Sequence, residues 1–394
     1  MIKVAYILPT GPMYGDNIAL RTILPYLVQQ GVEPLIIARA DSDTYRQFSE
    51  LGYTCISHEW YYSTMRTQAI WRATLRRMHR WEEQHIELHN SEYRHILQEV
   101  RTFSPDLIHT NCSYTNLGLR LAADLHVPHV MHIREYGQLD SSPHYPTDAI
   151  FGLTCRKKGR YNITITRDIQ RYLNLPDTCA RPIYDGVFAD NHHYLLSEQK
   201  QRYFLFVGRI AKTKGVHIAI EAFARFNQQY PDYQLLIAGS GNDEAYNQSL
   251  KEQIASYSLE DKVRFLGYRT DTDQLMQTAT ALLVPSRFEA FGFISAEALY
   301  QGCPVIGHNV AGTQEQFDNV ADIHTAVPMF YTYSTVEECA QAMHTVAQNK
   351  PTLADMQTFH DRVFSLYPAE KSAKNVFAYY QYIRKSGFKR IDKQ

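Results

Sequence analysis

The sequence predicts an α/β protein with two parallel-sheet domains, because short apolar strands alternate with longer helical patterns in both halves of the chain. With 394 residues, the chain is long enough to build two separate hydrophobic cores. Each half opens on an apolar strand, Val4–Leu8 in the first and Tyr203–Val207 in the second. This alternation is typical of a parallel sheet that is covered by helices on both faces.

The N-terminal half supplies the first series of elements, and we expect residues 1–190 to form one domain. Strand Val4–Leu8 is followed by a helical pattern over Asn17–Gln30 that stops before Gly31. Further strands are predicted at Pro34–Ala38, Leu107–Thr110, His129–Ile133 and Asn162–Thr166, and further helices at Leu117–Leu125 and Asp168–Leu173.

The C-terminal half repeats the pattern, and we expect residues 200–370 to form the second domain after a polar linker. Its predicted strands are Tyr203–Val207, Gln234–Ala238, Val263–Leu266, Ala281–Val284 and Pro304–Gly307. Its predicted helices are Val216–Gln229, Glu244–Ser256, Asp271–Thr278, Phe293–Gln301 and Val336–Gln348. Residues 371–394 are expected to form an amphipathic helix, with Ala373, Phe377 and Tyr380 on one face, followed by a basic tail.

Composition excludes several classes of protein. The formal net charge of −1 gives no electrostatic reason to expect nucleic-acid binding. The six cysteines are scattered without a C-x-x-C pair, which indicates reduced thiols rather than a disulfide framework or a zinc site. Val4–Leu8 is too short for a signal-peptide core, and no apolar stretch reaches transmembrane length. We therefore expect a cytoplasmic protein.

The segment from Pro285 to Glu297 is the most informative part of the sequence. It carries two carboxylates, Glu289 after an apolar run and Glu297 in a helical pattern. On one helix they would lie about 12 Å apart along the axis, which suits neither a shared metal nor a carboxylate dyad. The spacing fits two contacts with one long polar ligand, whose phosphates would meet the free amides of the helix N-terminus.

The loop from Gly208 to Gly215 supplies the opposite charge. It follows the strand Tyr203–Val207 and carries Arg209 and Lys214. Ligands of α/β proteins bind at the carboxyl ends of the strands, and two cations facing a helix N-terminus would clamp a diphosphate there. The glycines allow the backbone to bend close to it.

Together these segments resemble the retaining glycosyltransferases of family four, which have the GT-B fold. The resemblance runs from about Tyr203 to about Glu315 and implies two Rossmann-like domains that face each other across a cleft. It also implies that the terminal helix crosses back to the first domain, and that Ile183–Val187 is the last strand and turn of that domain. The motifs are G-R-x4-K-G at Gly208–Gly215, Ala238-Gly-Ser-Gly241, Phe265-Leu-Gly267, P-S-x2-E-x-F-G-x4-E-A at Pro285–Ala298, Gly302-x-Pro304-Val, and Gly312-Thr-Gln-Glu315.

The resemblance implies roles for individual residues of the second domain. Arg209 and Lys214 would neutralise the leaving nucleoside diphosphate, where negative charge builds during bond breaking. Glu297 would hold the ribose hydroxyls, and Glu289 would face the donor sugar. Glycines and backbone amides at Gly208, Gly239, Ala290, Phe291, Gly292 and Phe293 would contact sugar and phosphate, and Tyr268 and Arg269 would lie near the nucleobase.

The match is weaker in the first domain. Gly15 is the best candidate for a residue that approaches the donor phosphate, although the adjacent glycines of the family are missing and no dinucleotide motif is present. His132, near the carboxyl end of its strand, would lie near the donor sugar or be a satisfied, partly buried histidine. His109 is a weaker candidate. Arg134 and Glu135 would bind an acceptor or pair with each other.

Residues 61–81 form a separate basic segment, with five arginines and no acidic residue between Tyr61 and Trp81. A basic amphipathic helix of this kind would rest on anionic lipid, or it would pack on the core and expose its basic face to solvent. We favour the second interpretation.

The sequence thus predicts a retaining, metal-independent glycosyltransferase that uses a nucleoside-diphosphate sugar without a cofactor. UDP-sugar is the favoured donor, and a saccharide or lipid-linked molecule the acceptor, in polysaccharide or glycoconjugate assembly. We expect it in the cytoplasm or at the inner face of the membrane. Two alternatives stay open: a sugar-nucleotide epimerase of the same architecture, and a non-catalytic protein that binds nucleotide sugar.

Overall fold

The chain forms two compact units, each built on its own parallel sheet. The computed structural model describes residues 1–9, 11, 13–58, 90–113, 115–140, 148–189 and 196–386. One unit comprises Met1–Asp190 together with Pro368–Gln394, and the other comprises Asn191–Tyr367. Since every described pair of neighbouring strands is parallel, the prediction of two Rossmann-like parallel-sheet domains is confirmed.

The first unit holds a sheet of seven strands in the order β3-β2-β1-β4-β5-β6-β7. The strands are β1 Ile2–Leu8, β2 Val32–Arg39, β3 Thr54–His58, β4 Leu107–Thr110, β5 His129–Ile133, β6 Arg160–Thr164 and β7 Ala180–Pro182. The helices between them are α1 Gly15–Gln29, α2 Asp43–Glu50, α3 Asn90–Phe103, α4 Leu117–Leu125, α5 Asp148–Cys155 and α6 Arg167–Tyr172, with a 3₁₀ turn at Gly137–Asp140.

The last strand of the first unit lies earlier in the chain than the resemblance implied. It is Ala180–Pro182, so the expectation of a strand within Ile183–Val187 is wrong. The Ile183 amide still donates to the Thr164 carbonyl, at 2.9 Å, but the following backbone leaves the sheet. There the Tyr184 carbonyl accepts a hydrogen bond from Ser372 instead, at 2.9 Å.

The second unit holds a sheet of six strands in the order β10-β9-β8-β11-β12-β13. The strands are β8 Tyr203–Val207, β9 Gln234–Ala238, β10 Val263–Gly267, β11 Ala281–Val284, β12 Val305–His308 and β13 Phe330–Tyr333. The helices are α7 Val216–Asn227, α8 Glu244–Ser256, α9 Thr272–Thr278, α10 Phe293–Tyr300, α11 Ala311–Asp318, α12 Val336–Gln348 and α13 Leu353–Leu366, with a 3₁₀ turn at Lys212–Lys214.

Aromatic packing anchors the core of the second unit beneath β8. The Phe204 and Phe226 rings meet edge to face, with centroids 5.0 Å apart, and both side chains are fully buried. Tyr233 stacks on Phe204 at 5.7 Å. Burying a phenylalanine stabilises the fold by roughly 1.5–3 kcal/mol, so this cluster holds β8 firmly where the Arg209 loop begins.

The terminal helix, α14 (Ala369–Lys385), belongs to the first unit and packs against α1. Of the three residues predicted to share its apolar face, Ala373 and Tyr380 are fully buried, and Phe377 packs at the edge of the same core. The helix start is fixed by a bridge between Phe188 and Pro368. The last described helix therefore packs on the core that contains the first strand.

The basic segment 61–81 lies outside the described residues. Across the part of the chain that the structure describes, no helix is both long enough and apolar enough to span a bilayer.

Candidate functional site

The carboxyl ends of the strands of the second unit gather the residues predicted to bind the donor. Gly208 and Arg209 follow β8, Gly239 follows β9, Tyr268 and Arg269 follow β10, and Glu289 lies in the loop after β11. Because these strands are parallel neighbours, their carboxyl ends lie along one edge of the sheet. The predicted residues of this unit therefore share one region, although they span about 90 positions of sequence, from 208 to 297.

Gly239 brings the loops after β8 and β9 into backbone contact. Its φ is +148°, and a Cβ atom at this position would lie 1.8 Å from the Gly208 carbonyl oxygen. The Gly208 amide donates to the Ala238 carbonyl at 3.0 Å, and the Ile210 amide to the Ser240 carbonyl at 2.9 Å. No residue with a side chain fits without moving the backbone, which gives a structural reason for glycine there.

Gly215 allows a similar backbone contact between the loop that carries Arg209 and the loop after β11. Its φ is +71°, and a Cβ atom there would lie 2.0 Å from the Pro285 carbonyl oxygen. The Arg287 amide also donates to the Thr213 carbonyl, at 2.9 Å. These contacts place the 3₁₀ turn that carries Lys214 directly beside the segment that carries Glu289.

Lys214 and Glu289 form an ion pair. The Lys214 Nζ atom lies 2.7 Å from Glu289 Oε1, and both side chains are largely buried. The Ser286 hydroxyl donates to the same carboxylate oxygen at 2.5 Å. Sequence analysis assigned the two residues to different parts of one ligand; the structure shows them in direct contact, with Ser286 as a third member that was not predicted.

Arg209 differs from Lys214 in its surroundings. Its side chain is exposed, and within the described residues no carboxylate is paired with its guanidinium. The formal charge of Arg209, Lys214 and Glu289 together is +1. This excess positive charge lies where a phosphate ligand is predicted.

The N-terminus of α10 follows directly after Glu289. The helix begins at Phe293, and its N-cap residue, Gly292, has no side chain to occupy the first amides. Gln316 donates to the carbonyls of Phe291 and Gly292, and the Gly312 amide donates to the Glu289 carbonyl at 2.8 Å. The carbonyls of this loop are thus held by residues of α11, which fixes the backbone that leads into α10.

Glu297 lies within α10, one turn beyond its start, whereas Glu289 lies in the preceding loop, as the sequence analysis expected. Burial, with a smaller contribution from the nearby Asp273, raises the pKa of Glu297 from its ordinary value of 4.5 to about 7. A desolvated carboxylate that pairs with no cation among the described residues gains from binding hydroxyl donors, which fits the role predicted for Glu297 at a ribose.

This raised pKa predicts a pH-dependent stability difference between the wild type and Glu297→Gln. The folded state holds the proton more tightly than the unfolded chain, so the wild type loses stability as pH rises from 4.5 through about 7. We expect the glutamine variant to gain about 2–3 kcal/mol relative to the wild type over that range. Denaturant unfolding of both proteins near pH 5 and near pH 8 measures this change in relative stability. If the stability difference between wild type and Glu297→Gln is the same at both pH values, the raised pKa of Glu297 is contradicted.

Tyr268 and Arg269 extend past the end of the edge strand β10. The Tyr268 side chain is 80% exposed, so one whole ring face is open to a planar ligand. Arg269 is already engaged, since its Nε donates to Asp271 Oδ1 at 2.7 Å. Of the two predicted base neighbours, Tyr268 therefore has the freer side chain.

In the first unit, Gly15 is the first residue of α1 and is exposed. Polar side chains hold the backbone on both sides of Gly15. The Thr44 hydroxyl donates to the Gly11 carbonyl at 2.9 Å, and the Asn111 side chain donates to the Asp16 carbonyl at 2.8 Å. The loop is thus fixed by polar side chains rather than by the adjacent glycines that the family uses.

His132 lies inside β5 and is almost fully buried, at 2% exposure. Its Nδ1 accepts a hydrogen bond from the Arg134 guanidinium at 3.2 Å, because arginine can only donate. Burial, together with the positive Arg134, holds the pKa of His132 well below its usual value. The imidazole is therefore neutral, with its proton on Nε2, and that atom has no hydrogen-bond partner within the described residues.

Arg134 and Glu135 do not pair through their side chains, so that prediction is wrong. The Arg134 guanidinium forms a buried ion pair with Asp185, and its Nε donates to the Asn111 carbonyl at 3.1 Å. Glu135 accepts from the Ser113 amide at 2.6 Å. Both residues follow β5, which ends at Ile133, and each side chain finds its partner on another segment of the first unit.

His109 belongs to the same buried group through Tyr380 of α14. The Tyr380 hydroxyl lies 2.5 Å from His109 Nδ1 and donates to the Tyr6 hydroxyl at 3.2 Å. The His109 and His132 rings are 5.3 Å apart. Sequence analysis missed Asp185 and placed Tyr380 only on an apolar face. A buried tyrosine normally needs a hydroxyl partner, so the sequence could have indicated that Tyr380 has a polar partner, but not which one.

Comparison with known proteins identifies the region around these loops. Residues 188–358 match the family described as glycosyl transferases group 1. Glycogen synthase of Mycobacterium tuberculosis is 34% identical over 117 residues, which are 29% of this chain and 28% of that protein. Poly(glycerol-phosphate) alpha-glucosyltransferase of Bacillus subtilis is 28% identical over 166 residues, 42% of this chain and 23% of that protein. The chain thus spans about a quarter of the length of these relatives.

Solved structures match over nearly the whole chain. Anabaena HepE, in complex with UDP and glucose, superposes with a TM-score of 0.73 over 97% of this chain and 100% of its own, at 17% sequence identity. At this identity the likeness concerns the fold alone, and it confirms the GT-B fold class predicted from the sequence.

Proposed function

We propose, from the premise that residues 188–358 belong to the glycosyl transferases group 1 family, that this chain transfers a sugar from a nucleoside diphosphate to an acceptor hydroxyl. The observation that carries the proposal is the grouping of Arg209, Lys214 and Glu289 beside the uncapped N-terminus of α10. The proposal takes the donor to be a UDP-sugar, because HepE shares the fold and its structure holds UDP.

The diphosphate would bind between Arg209 and the first amides of α10. Both groups favour negative charge, the first by its guanidinium and the second by free N–H groups and the helix dipole. Lys214 would add its ammonium group once it is shared between Glu289 and a phosphate oxygen. Because charge grows on the departing phosphate, these contacts strengthen in the transition state and accelerate the reaction.

Glu289 and Glu297 would hold the two sugars of the donor. Glu297 would accept hydrogen bonds from the ribose hydroxyls. Glu289, held by Ser286 and Lys214, would face the transferred sugar and stabilise positive charge at its anomeric carbon.

The reaction would proceed on one face of the sugar, with retention of configuration. The bond between the anomeric carbon and the diphosphate oxygen breaks, and the acceptor oxygen forms the new bond. The acceptor proton passes to the departing phosphate oxygen, so the step balances without a side-chain base. In this proposal no cofactor takes part. The two cations and the helix amides neutralise the negative charge of the diphosphate, as a metal ion does in other transferases.

The acceptor would be a saccharide or a lipid-linked molecule in the cytoplasm or at the inner face of the membrane. Two relatives have names that describe sugar addition to polymers, glycogen and poly(glycerol-phosphate). Polysaccharide or glycoconjugate assembly is therefore the proposed setting.

A thermal-shift screen of the full chain against UDP, GDP, ADP and uridine tests the donor site. We expect UDP to stabilise the protein by about 2.7 kcal/mol at 100 times its dissociation constant, seen as a rise of several degrees in Tm. Uridine lacks the diphosphate and should give a much smaller shift. Equal shifts with all four ligands, or with none, would contradict the proposal.

A second measurement separates transfer from epimerisation. With a UDP-sugar present, a transferase releases UDP in proportion to added acceptor, whereas an epimerase converts the donor sugar without releasing UDP. NMR of the product then reads the anomeric configuration, and an inverted product would contradict the same-face reaction.

A further inference from the structure

The end of β3 and one face of α3 bring together three side chains of metal-binding type, His58, His95 and Glu99. One ligand atom from each lies within 4.8 Å of the other two. It is the one group of three such residues that meets this spacing among the residues described. None of the three residues is among those predicted to bind the donor or the acceptor, and all three lie in the first unit. We propose that this β3–α3 cluster binds a divalent ion of the zinc type.

The spacing within the cluster is close to that of a coordinated ion. His58 Nε2 lies 2.7 Å from Glu99 Oε2, and His95 Nε2 lies 3.8 Å from Glu99 Oε1. Ligands 2.0–2.1 Å from a tetrahedral zinc ion are separated by about 3.3 Å. The two measured distances, which run to the two different oxygens of Glu99, lie on either side of this value, and the three ligand atoms lie within 4.8 Å of one another.

The helix supplies two of the three ligands in a favourable arrangement. His95 and Glu99 are four residues apart on α3, so they lie on the same face one turn apart. The two histidine rings lie edge to face with centroids 5.3 Å apart, which allows both nitrogens to point at one ion.

The chemistry of the set selects the class of ion. Two imidazoles and one carboxylate suit zinc and its transition-metal neighbours, whereas magnesium and calcium prefer sites made of oxygen ligands. The three protein ligands leave a fourth position open to water. The His95 side chain is 67% exposed, which gives the ion a path from solvent, while the His58 side chain is 8% exposed and provides the fixed ligand.

Binding would link β3 to α3. His58 is the last residue of β3, and in the apo cluster its only close charged partner among the described groups is Glu99. An ion held by all three side chains replaces one hydrogen bond with three coordinate bonds. The site would therefore stabilise the first unit without taking part in sugar transfer.

The test titrates the chelator-treated full chain with ZnCl₂ by calorimetry and by thermal shift, and compares wild type with His95→Ala and Glu99→Gln. The chain contains 17 histidines, so some background binding is expected. We expect the wild type to bind one Zn²⁺ ion more than His95→Ala, or to bind it at least about tenfold more tightly. Zinc should raise the Tm of the wild type but not that of the variant.

His324→Ala is the matched control, because His324 is an exposed histidine of the second unit. It should bind zinc like the wild type. His95 is largely exposed, so His95→Ala should keep the metal-free Tm of the wild type, which excludes a folding defect. Identical zinc binding by wild type, His95→Ala and Glu99→Gln overturns the proposal, as does a wild type that shows no zinc-dependent rise in Tm.

Discussion

Replacing Arg209 with alanine is expected to lower kcat for sugar transfer by about 10²–10³-fold, the loss seen when one preorganised charge-stabilising donor is removed from an active site. The guanidinium is exposed and pairs with no carboxylate among the described residues, so it is ready to meet the charge that develops on the leaving diphosphate. KM for the donor should change much less than kcat, because the interaction grows in the transition state.

Because the Arg209 side chain is exposed, its replacement should affect catalysis without affecting folding. Removing an exposed side chain that has no hydrogen-bond or charged partner in the described part of the chain should change the free energy of unfolding by no more than about 0.5 kcal/mol. Arg264→Ala is a suitable control: this arginine is also exposed, but it lies near the amino end of β10, away from the carboxyl edge. Steady-state kinetics with a UDP-sugar measures kcat of both variants. A kcat of Arg209→Ala within twofold of the wild-type value would show that Arg209 does not take part in the reaction.

Replacing Gly215 with alanine is expected to have the largest effect on stability. The added Cβ atom would lie 2.0 Å from the Pro285 carbonyl oxygen, and the backbone there has a φ of +71°. The left-handed conformation costs about 1–2 kcal/mol for a residue with a side chain, and forcing apart two packed loops costs about 1–3 kcal/mol more. Because that contact also places Lys214 beside Glu289, activity should fall with stability.

Gly267→Ala is a control matched in backbone conformation. Gly267 has a φ of +69°, nearly that of Gly215, but a Cβ atom there meets nothing within 4 Å. The difference between the two variants in denaturant unfolding isolates the loop contact from the cost of the left-handed backbone. Equal destabilisation by the two substitutions would show that the contact between Gly215 and Pro285 is not important to the fold.

Five of the six strands of the second unit were predicted, and three of them are runs of mainly apolar residues whose bounds the sequence predicts correctly. Tyr203–Val207, Gln234–Ala238 and Ala281–Val284 have the bounds that the sequence predicts, since a parallel strand buried on both faces carries few polar residues. The elements missed are of a different kind. β3 is a partly exposed edge strand of mixed polarity, and α2 is a polar helix that begins with a Ser42 cap. Neither has the hydrophobic periodicity on which the prediction depends.

The sequence by itself determined the two-sheet fold class, and it predicted the glycine loops and charged residues of the candidate site, because these depend on patterns within a few consecutive positions. Only the tertiary structure decided which polar and charged side chains contact each other. Lys214 pairs with Glu289 across 75 positions, Arg134 with Asp185 across 51, and Tyr380 reaches His109 across 271. Such pairs depend on which loops and helices the packed core brings together, and patterns within a few consecutive residues do not predict contacts between residues far apart in the sequence.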